Sequence, residues 1–266
     1  MTKAVQSVKR CLQVLEYLNQ HAGGDTRQIT QAKGLTRGTV FRLLETLRQE
    51  GYLRKETGSA MYWLTSRVRA LSDGYQEEWW IDAFARKITM DLGERTKWPV
   101  KLLTLSGYQM LTRVTTDFQS PLTDGKIPAG YRVSLLWTSA GHVFLSFSSD
   151  SVREALMRGC ASDPASQRRN RSFPATMDAS NLSAMVKRVR KNGYEIVDQP
   201  ETNYFSLAVP VMTGAQVIGS LVIFFFRASI KQAEALKVFK PMLDDTALAI
   251  GERFRDGLGS RGVAQL

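Results

Sequence analysis

The chain has 266 residues, of which 43% are hydrophobic and 23% charged, a composition that excludes a disordered protein and indicates a globular one. This length suits one small and one medium-sized domain. The formal net charge is +11, and residues 1–70 hold 12 Lys and Arg against 5 Asp and Glu. A basic N-terminal end indicates a polyanionic partner, although basic surfaces can also simply keep a protein in solution.

The sequence contains no apolar run of membrane-spanning length and no secretory segment after Met1, so we expect a cytoplasmic protein with no membrane partner. Cys11 and Cys160 fall in different predicted domains and form no CxxC motif, which fits a reducing compartment. His21 and His142 are isolated as well, so the spacing predicts no metal site, and we expect no cofactor.

Residues 1–66 are predicted to form a winged helix-turn-helix domain. Its elements are a helix over 5–21, a short helix that ends at Gly34, a recognition helix from Thr36 to Gly51, and hairpin strands over 52–55 and 61–64. Val40, Leu43, Leu44 and Leu47 place one apolar stripe on the recognition helix, so one face of this helix is expected to be buried.

The opposite face of the recognition helix carries hydroxyl and cationic side chains. A helix with one buried face and one basic face can lie on a protein core and enter the major groove of DNA. The residues predicted to contact DNA are Thr36, Arg37, Thr39 and Arg42 on this helix, Ser7 and Arg10 on the first helix, and Arg54 and Lys55 on the wing. The alternative is that these arginines only form a solvated surface.

Residues 67–96 are predicted to be linker and dimerisation helices, interrupted at Gly74 and Gly93. Their apolar content exceeds what an exposed linker requires, and it includes the neighbouring Trp79 and Trp80. We interpret these two rings as part of an interface between subunits, with burial in the core of one subunit as the alternative.

Residues 97–256 are predicted to form a mixed α/β domain around an antiparallel sheet, which makes the fold class α+β, and residues 257–266 a frayed tail. The predicted strands cover 100–105, 110–115, 194–197, 206–211 and 217–226, with a further apolar segment over 133–137. The predicted helices start at the small-residue turn 138–141 and cover 151–158, 181–192 and 229–254; loops cover 121–130 and 161–175. Pro241 marks a kink or a break in the last helix.

Several short motifs, taken together and in order, resemble the IclR family of bacterial transcription regulators. They are Ser7-Val-Lys-Arg-Cys-Leu, Gly34-Leu-Thr-Arg-Gly-Thr-Val-Phe-Arg-Leu-Leu-Glu-Thr-Leu, Glu50-Gly-Tyr-Leu, Ser139-Ala-Gly, Gly193-Tyr and Leu207-Ala-Val-Pro-Val. The resemblance runs from about residue 4 to 255. The run from Trp63 to Gly74, with Trp80-Ile and Trp98-Pro99, is similar to the subgroup that contains the activator of hydroxyphenylpropionate catabolism.

This resemblance implies a winged-helix DNA-binding domain, a dimerising linker helix and a GAF-like effector domain. It also implies a dimer or dimer of dimers that regulates a catabolic operon. The partners implied are double-stranded operator DNA, a small organic-acid effector, a second copy of the chain and RNA polymerase. The family motif adds Gly38 to the DNA contacts, at a position where the family commonly has Ser.

For the effector, the resemblance implies a cavity lined by the small-residue turn and the last sheet strands. The matching residues are Ser139, Ala140, Gly141, Asp198, Ser206, Val222 and Phe224, and Trp98, Trp137 and Tyr204 could add ring surface. Backbone N–H groups at the helix start could bind a carboxylate. Val222 and Phe224 stand where members that bind small acids tend to have serines, which favours a bulkier, aromatic acid; the alternative is that each aromatic ring only fills the core.

Catalysis is not expected, although Ser139, His142 and Asp150 invite comparison with a hydrolytic triad. The GxSxG context of such a nucleophile is missing from the sequence, and a Ser three residues before a His on one helix more often packs or binds an anion. Two alternatives to a ligand-responsive regulator remain: an enzyme that acts on a small molecule through residues 98–255, and an architectural DNA binder that senses no ligand.

Overall fold

The computed structural model describes residues 5–72, 78–123, 125–170, 178–199 and 203–260. The chain divides into two compact units, 1–77 and 78–266, and each is described by itself. The predicted interruption at Gly74, part of the predicted loop over 161–175 and the end of the predicted tail lie outside the described residues.

The first unit contains the three helices and the hairpin that the sequence predicts. Its elements are α1 (Gln6–His21), α2 (Thr26–Lys33), α3 (Arg37–Gln49), β1 (Leu53–Lys55), β2 (Tyr62–Leu64) and the short α4 (Arg67–Ala70). Strands β1 and β2 pair antiparallel. The helix-turn-helix with a two-stranded wing is therefore confirmed.

Side-chain caps and one glycine set the turn between α2 and α3. Asp25 caps α2 by accepting the Gln28 N–H, and the Gln28 side chain in turn accepts the Asp25 N–H, so this end is a reciprocal capping box. Gly34 ends α2 with a φ of 61°, a left-handed conformation that favours glycine. Thr36 then caps α3 by accepting the Thr39 N–H at 3.3 Å. These local contacts fix where α3 begins.

The apolar stripe of α3 lies in the core of the first unit. Val40 and Leu44 are fully buried and pack in one cluster with Leu18 of α1, Ile29 of α2 and Tyr62 of the wing. Since the inner face of α3 is covered by the other two helices and by the hairpin, its opposite face is left to solvent.

The second unit is built on one six-stranded antiparallel sheet. Its strands are β3 (Val100–Ser106), β4 (Gln109–Thr115), β5 (Arg132–Ser134), β6 (Glu195–Gln199), β7 (Tyr204–Thr213) and β8 (Gln216–Phe226), in the order β5-β4-β3-β8-β7-β6. Every neighbouring pair is antiparallel. A π-helical turn (Ile81–Ala85) leads into α5 (Arg86–Thr96), and the other helices are α6 (Ser139–Phe147), α7 (Asp150–Ser162), α8 (Pro164–Asn170), α9 (Ala179–Asn192) and α10 (Gln232–Ser260).

Helices cover both faces of this sheet. Leu92 of α5 and Leu243 of α10 belong to a buried cluster with sheet residues such as Leu207. Val143 of α6 and Val189 of α9 belong to a second cluster with the other sheet face. Strands that are buried on both faces explain the long apolar runs in β7 and β8, and the predicted α+β fold with an antiparallel sheet is confirmed.

The interpretation of Trp80 as an interface residue is wrong. Trp80 is 2% exposed within its own subunit and belongs to the core cluster with Phe84. Its ring lies edge-on to the ring of Phe254 of α10, with centroids 5.5 Å apart, and the half-buried Trp79 stacks on that same ring at 5.8 Å. The second half of the predicted linker therefore already belongs to the core of the second unit.

The elements also differ from the prediction at three places. Helix α5 runs through Gly93 without the predicted interruption. Residues Pro164–Asn170 form helix α8 inside the predicted loop. Helix α10 runs without a break through Pro241 to Ser260, past the predicted end at Phe254. A proline inside a helix removes one backbone hydrogen bond, but α10 has buried core residues on both sides of Pro241, such as Phe239 and Ile250, and these keep the helix continuous.

Candidate functional site

The outer face of α3 presents two arginines with no acidic partner among the residues that the structure describes. Arg37 and Arg42 are exposed, and neither takes part in an ion pair within those residues. Gly38 is exposed beside them, and a Cβ there would meet no atom within 4 Å. The Thr36 cap fixes the N-terminus of α3 next to these arginines. The N-terminal N–H groups of the helix and the cationic side chains therefore form one positive surface.

The other predicted DNA contacts lie on α1 and on the wing. Ser7 and Arg10 are exposed on the first turns of α1. Arg54 forms an ion pair with Glu56 at 2.8 Å, and Lys55 lies over the Tyr62 ring with its Nζ 4.9 Å from the ring centroid. Both wing cations are held by neighbours on the hairpin, and Lys55 lines a surface groove together with Arg37 and Gly38 of the recognition helix.

Phe41 of α3 was not among the predicted contacts. Its side chain is 50% exposed and lines a surface groove with Arg37 and Gly38 of α3 and Lys55 of the wing. An exposed aromatic ring on the polar face can contact the methyl group of thymine. Phe41 lies off the apolar stripe of α3, and that is the signal by which the sequence could have revealed it.

The second unit contains a small cavity of about 80 Å³ between the sheet and the start of α6. The lining residues are Lys101, Leu103, Thr112, Ile127, Val133, Thr138, Ser139, Ala140, Ser206, Val222 and Phe224. Strand register brings several of them together, since Lys101 is opposite Val222 and Ser206 is opposite Phe224. The volume is below the usual range for sites that enclose a drug-sized molecule, so the cavity suits a small ligand.

A buried lysine is the main charged group of this cavity. Lys101 is 5% exposed, and its Nζ lies 3.0 Å from Oδ2 of Asp117, which is itself fully buried. The same Nζ lies 4.4 Å from the centroid of the Phe224 ring. Burial lowers the pKa of Lys101, while the charge and hydrogen bond of Asp117 act in the opposite direction. Asp117 Oδ2 also accepts the Ile127 N–H at 2.9 Å.

Hydroxyl groups connect the start of α6 to the sheet. Ser139 donates a hydrogen bond from its Oγ to Oγ of Ser206 at 2.9 Å, and Ser206 donates to the Val197 carbonyl at 3.4 Å. Thr138 caps α6 by accepting the Gly141 N–H at 3.1 Å. The N–H groups of the first two helical residues have no acceptor within the helix, so they add positive potential at the cavity wall.

Five of the predicted effector residues line the cavity and five lie elsewhere. The lining residues are Ser139, Ala140, Ser206, Val222 and Phe224. Trp98 packs edge-on against Phe226, Tyr204 stacks on Phe226, Asp198 is exposed and pairs with Arg227, Gly141 lies under the Leu135 carbonyl and Trp137 is half-buried before α6.

Physical reasons account for most of these displaced positions. Trp98 and Tyr204 are held by an aromatic ring at the strand end, and Asp198 satisfies its charge at the surface. Gly141 is needed where it is because a Cβ there would come within 2.0 Å of the Leu135 carbonyl oxygen, and its N–H is already used by the cap.

The prediction also missed Lys101 and Thr112, which line the cavity from β3 and β4. Lysine is rarely buried unless it has a partner, and Lys101 stands within the otherwise apolar start of β3. That contrast is the signal by which the sequence could have revealed Lys101.

Ser139, His142 and Asp150 do not form a catalytic array. The Ser139 hydroxyl is directed to Ser206. His142 donates from Nε2 to the Leu136 carbonyl at 2.9 Å, and Asp150 pairs with Arg153. With each group engaged elsewhere, no nucleophile–base contact of the kind that a hydrolase requires is present among these three residues.

Two other kinds of site are absent from the part of the chain that the structure describes. Within it, no group of three or more His, Cys, Asp and Glu side chains could hold a metal ion. No helix among the described residues is both long and apolar enough to cross a membrane.

Comparison with known proteins relates the chain to one kind of regulator. Residues 7–57 match the IclR helix-turn-helix domain. The HTH-type transcriptional regulator XynR of Escherichia coli K12 is 24% identical over 256 residues, which cover 92% of this chain and 96% of XynR.

Solved structures extend the likeness to the fold of the whole chain. The IclR of Thermotoga maritima is 14% identical with a TM-score of 0.64, covering 94% of this chain and 99% of that one. An IclR homolog from Microbacterium hydrocarbonoxydans, crystallised in complex with 4-hydroxybenzoate, is 17% identical with a TM-score of 0.57 and the same coverage. At these identities the likeness shows the fold alone.

Proposed function

We propose that this chain, an IclR-type transcriptional regulator with a DNA-binding helix-turn-helix domain, controls a catabolic operon in response to a small organic acid. The acid binds in the cavity of the second unit, and operator DNA binds to α3. The protein works in the cytoplasm as a dimer or dimer of dimers, and RNA polymerase is a further partner.

The observation that carries the DNA-binding part is the outer face of α3. Arg37 and Arg42 project from a capped helix whose inner face is fully buried, and among the described residues neither arginine has an acidic partner. Arginine forks of this kind bind phosphate oxygens or the O6 and N7 atoms of guanine. Ser7, Arg10 and the wing cations Arg54 and Lys55 suit contacts with the DNA backbone.

The cavity supports the ligand-binding part. It combines apolar walls, including Val222 and Phe224, with the ammonium group of Lys101 and the hydroxyl of Ser139. Such a mixture suits a small acid with an aromatic body. Because the cavity is small, a ring enters only when wall side chains such as the half-buried Phe224 change rotamer, a common adjustment on binding.

One relative is consistent with an aromatic acid. The IclR homolog from Microbacterium hydrocarbonoxydans holds 4-hydroxybenzoate. With an aromatic effector, this chain would act in aromatic catabolism, as expected if it belongs to the subgroup that contains the activator of hydroxyphenylpropionate catabolism.

Regulation then requires that the acid favours one arrangement of paired DNA-binding domains over another. We assign pairing to the surface of the linker, residues 67–96, that remains outside the core around Trp80, and effector binding to a GAF-like domain, residues 97–256. A dimer would read a palindromic operator, because each two-fold related α3 meets one half-site.

Two measurements on the full-length chain test this function. The first selects bound sequences from random duplex DNA, and we expect an enriched palindrome. The second screens aromatic and aliphatic carboxylates by thermal shift, and we expect an aromatic acid that raises Tm by mass action and changes affinity for the selected DNA. Selection without any enriched sequence would contradict specific regulation, and a Tm rise with only short acids such as pyruvate or glyoxylate would contradict the aromatic assignment.

A further inference from the structure

We propose that Lys101 is the residue by which the cavity selects an acid, and that Asp117 is the internal anion with which this acid competes. The inference rests on the proposed effector function and names the charged group that would recognise the carboxylate. Lys101 and Asp117 lie outside the small-residue turn 138–141, where the sequence predicts that the carboxylate binds.

The position of Lys101 makes its charge available to a molecule in the cavity. The side chain lies on β3, is more than nine-tenths buried and lines the cavity together with Phe224. Asp117 lies just after β4, and the pair joins two neighbouring strands through a contact of 3.0 Å. An ammonium group has three N–H donors, so a single bond to Asp117 leaves donors for a second anion.

Among the described residues, two buried polar atoms of Thr112 and Asp117 have no hydrogen-bond partner. Within the described residues, the Thr112 hydroxyl, 1% exposed, has no hydrogen-bond partner although Thr112 lines the cavity. Oδ1 of Asp117 is also buried without a partner there. Buried polar groups are nearly always hydrogen-bonded, so the Thr112 hydroxyl indicates a position for a ligand acceptor. A carboxylate oxygen could accept from both Thr112 and Lys101.

The remaining groups add to the same preference. As the first residues of α6, Ser139 and Ala140 have backbone N–H groups with no acceptor within the helix, and both residues line the cavity. The positive end of the helix favours a negative charge. Apolar side chains also line the cavity, including Val222 and the ring of Phe224, which suits the hydrocarbon part of an aromatic acid.

Asp117 limits how strongly an acid can bind. Without a ligand, Lys101 and Asp117 form a buried pair with no net charge. An incoming carboxylate meets the attraction of Lys101 and also the repulsion of Asp117, since two carboxylates close together in a buried site oppose each other. Removal of the charge of Asp117 should therefore strengthen acid binding, whereas removal of both charges should abolish the preference for an acid.

The test uses the full-length protein, three variants and two matched pairs of ligands. The variants are Asp117→Asn, Lys101→Met and the double variant Lys101→Met/Asp117→Asn. Asparagine keeps the shape of Asp117 and an acceptor for the Ile127 N–H, and methionine keeps much of the length of lysine without its charge. The probes are benzoate and 4-hydroxybenzoate, each compared with its uncharged amide, and binding is measured by calorimetry and by Tm shift.

We expect wild type to bind at least one acid roughly 10- to 100-fold more tightly than its amide, as expected of a hydrogen bond between charged groups. Asp117→Asn should bind that acid several-fold more tightly than wild type. Lys101→Met and the double variant should show no preference for the acid over the amide. A purely structural role for the pair would instead weaken the binding of every ligand in both Asp117→Asn and the double variant.

Other outcomes separate this inference from the proposed function. If acid and amide bind wild type equally, the cavity binds aromatic ligands but Lys101 does not select an acid. If acid binding is unchanged in the folded double variant, the role of Lys101 is likewise refuted. If neither the acids nor the amides bind wild type, the aromatic effector assigned to this cavity fails together with the inference.

Discussion

The substitution Arg37→Ala tests the assignment of α3 as the DNA-reading helix. Arg37 is the first residue after the Thr36 cap and is exposed, so its replacement should change the free energy of unfolding by no more than about 0.5 kcal/mol. A bidentate contact with guanine contributes about 1–3 kcal/mol of discrimination. The expected decrease in affinity is therefore roughly 5- to 150-fold per half-site.

In the assay, the protein is titrated into the selected palindromic duplex at several salt concentrations, and binding is monitored by fluorescence anisotropy. If Arg37 reads a base, the alanine variant should also show a relaxed preference at one position of each half-site. If Arg37 binds only phosphate, affinity should fall for all sequences, and the salt slope should decrease by about 1 for each phosphate that is no longer neutralised. The two possibilities are thus distinguished by sequence dependence.

The matched control is Arg253→Ala. Arg253 is also an exposed arginine on a helix and has no ion pair among the described residues, but it lies in the second unit. Both variants remove the same charge, so any general effect of net charge on DNA affinity appears in each. Equal affinity and equal salt slope in the two variants would refute the role of Arg37.

Three features of the fold set testable expectations for stability. Gly38→Ala should stabilise the fold by about 0.5–1 kcal/mol in denaturant titration, because the site is helical and open and alanine favours helix. Gly251→Ala should instead destabilise the fold, because a Cβ there would lie 1.9 Å from the Met212 carbonyl oxygen. Equal effects of the two substitutions would contradict the packing of α10 on β7. Trp80→Ala should cost about 3–5 kcal/mol as a core truncation, by an amount that does not depend on protein concentration, whereas a concentration-dependent effect would restore the interface interpretation. Burial raises the pKa of Glu195, but the neighbouring side chains of His142 and Arg188 outweigh this and lower it, so the stabilising contribution of Glu195 is present above its unfolded pKa and disappears as pH falls through and below about 4.5. Glu195→Gln should therefore weaken the pH dependence of Tm in that window, and an unchanged profile would contradict this contribution.

The N-terminal unit could be predicted from sequence because its signals are local. The stripe of α3 repeats every three to four residues, and a left-handed glycine and a threonine cap mark the turn. Each of these features depends on residues within one or two helical turns. The groove at Phe41 is the exception, since it depends on how closely the wing approaches α3 rather than on the helix pattern alone.

The cavity was harder to predict from sequence, because its lining depends on contacts between residues that are distant in the chain. The resemblance to a family placed Ser139 and Ser206 at one site, and the structure joins their hydroxyls. The resemblance could not place Lys101 beside Asp117, because that pairing requires β3 and β4 to adopt one register. Tyr204 and Trp98 show the converse, since aromatic rings suited to a pocket are instead taken up by a third ring, Phe226.

The sequence by itself determined the helix-turn-helix, its basic face, the antiparallel α+β domain and the family that these features resemble. Only the tertiary structure decided that Trp80 is core, that α10 continues through Pro241, and that a buried lysine borders the cavity. The reason is that a periodic pattern states which side of an element avoids water, but not which element covers it. In a sheet, register decides which side chains become neighbours, and a shift of one residue would turn Lys101 to the opposite face.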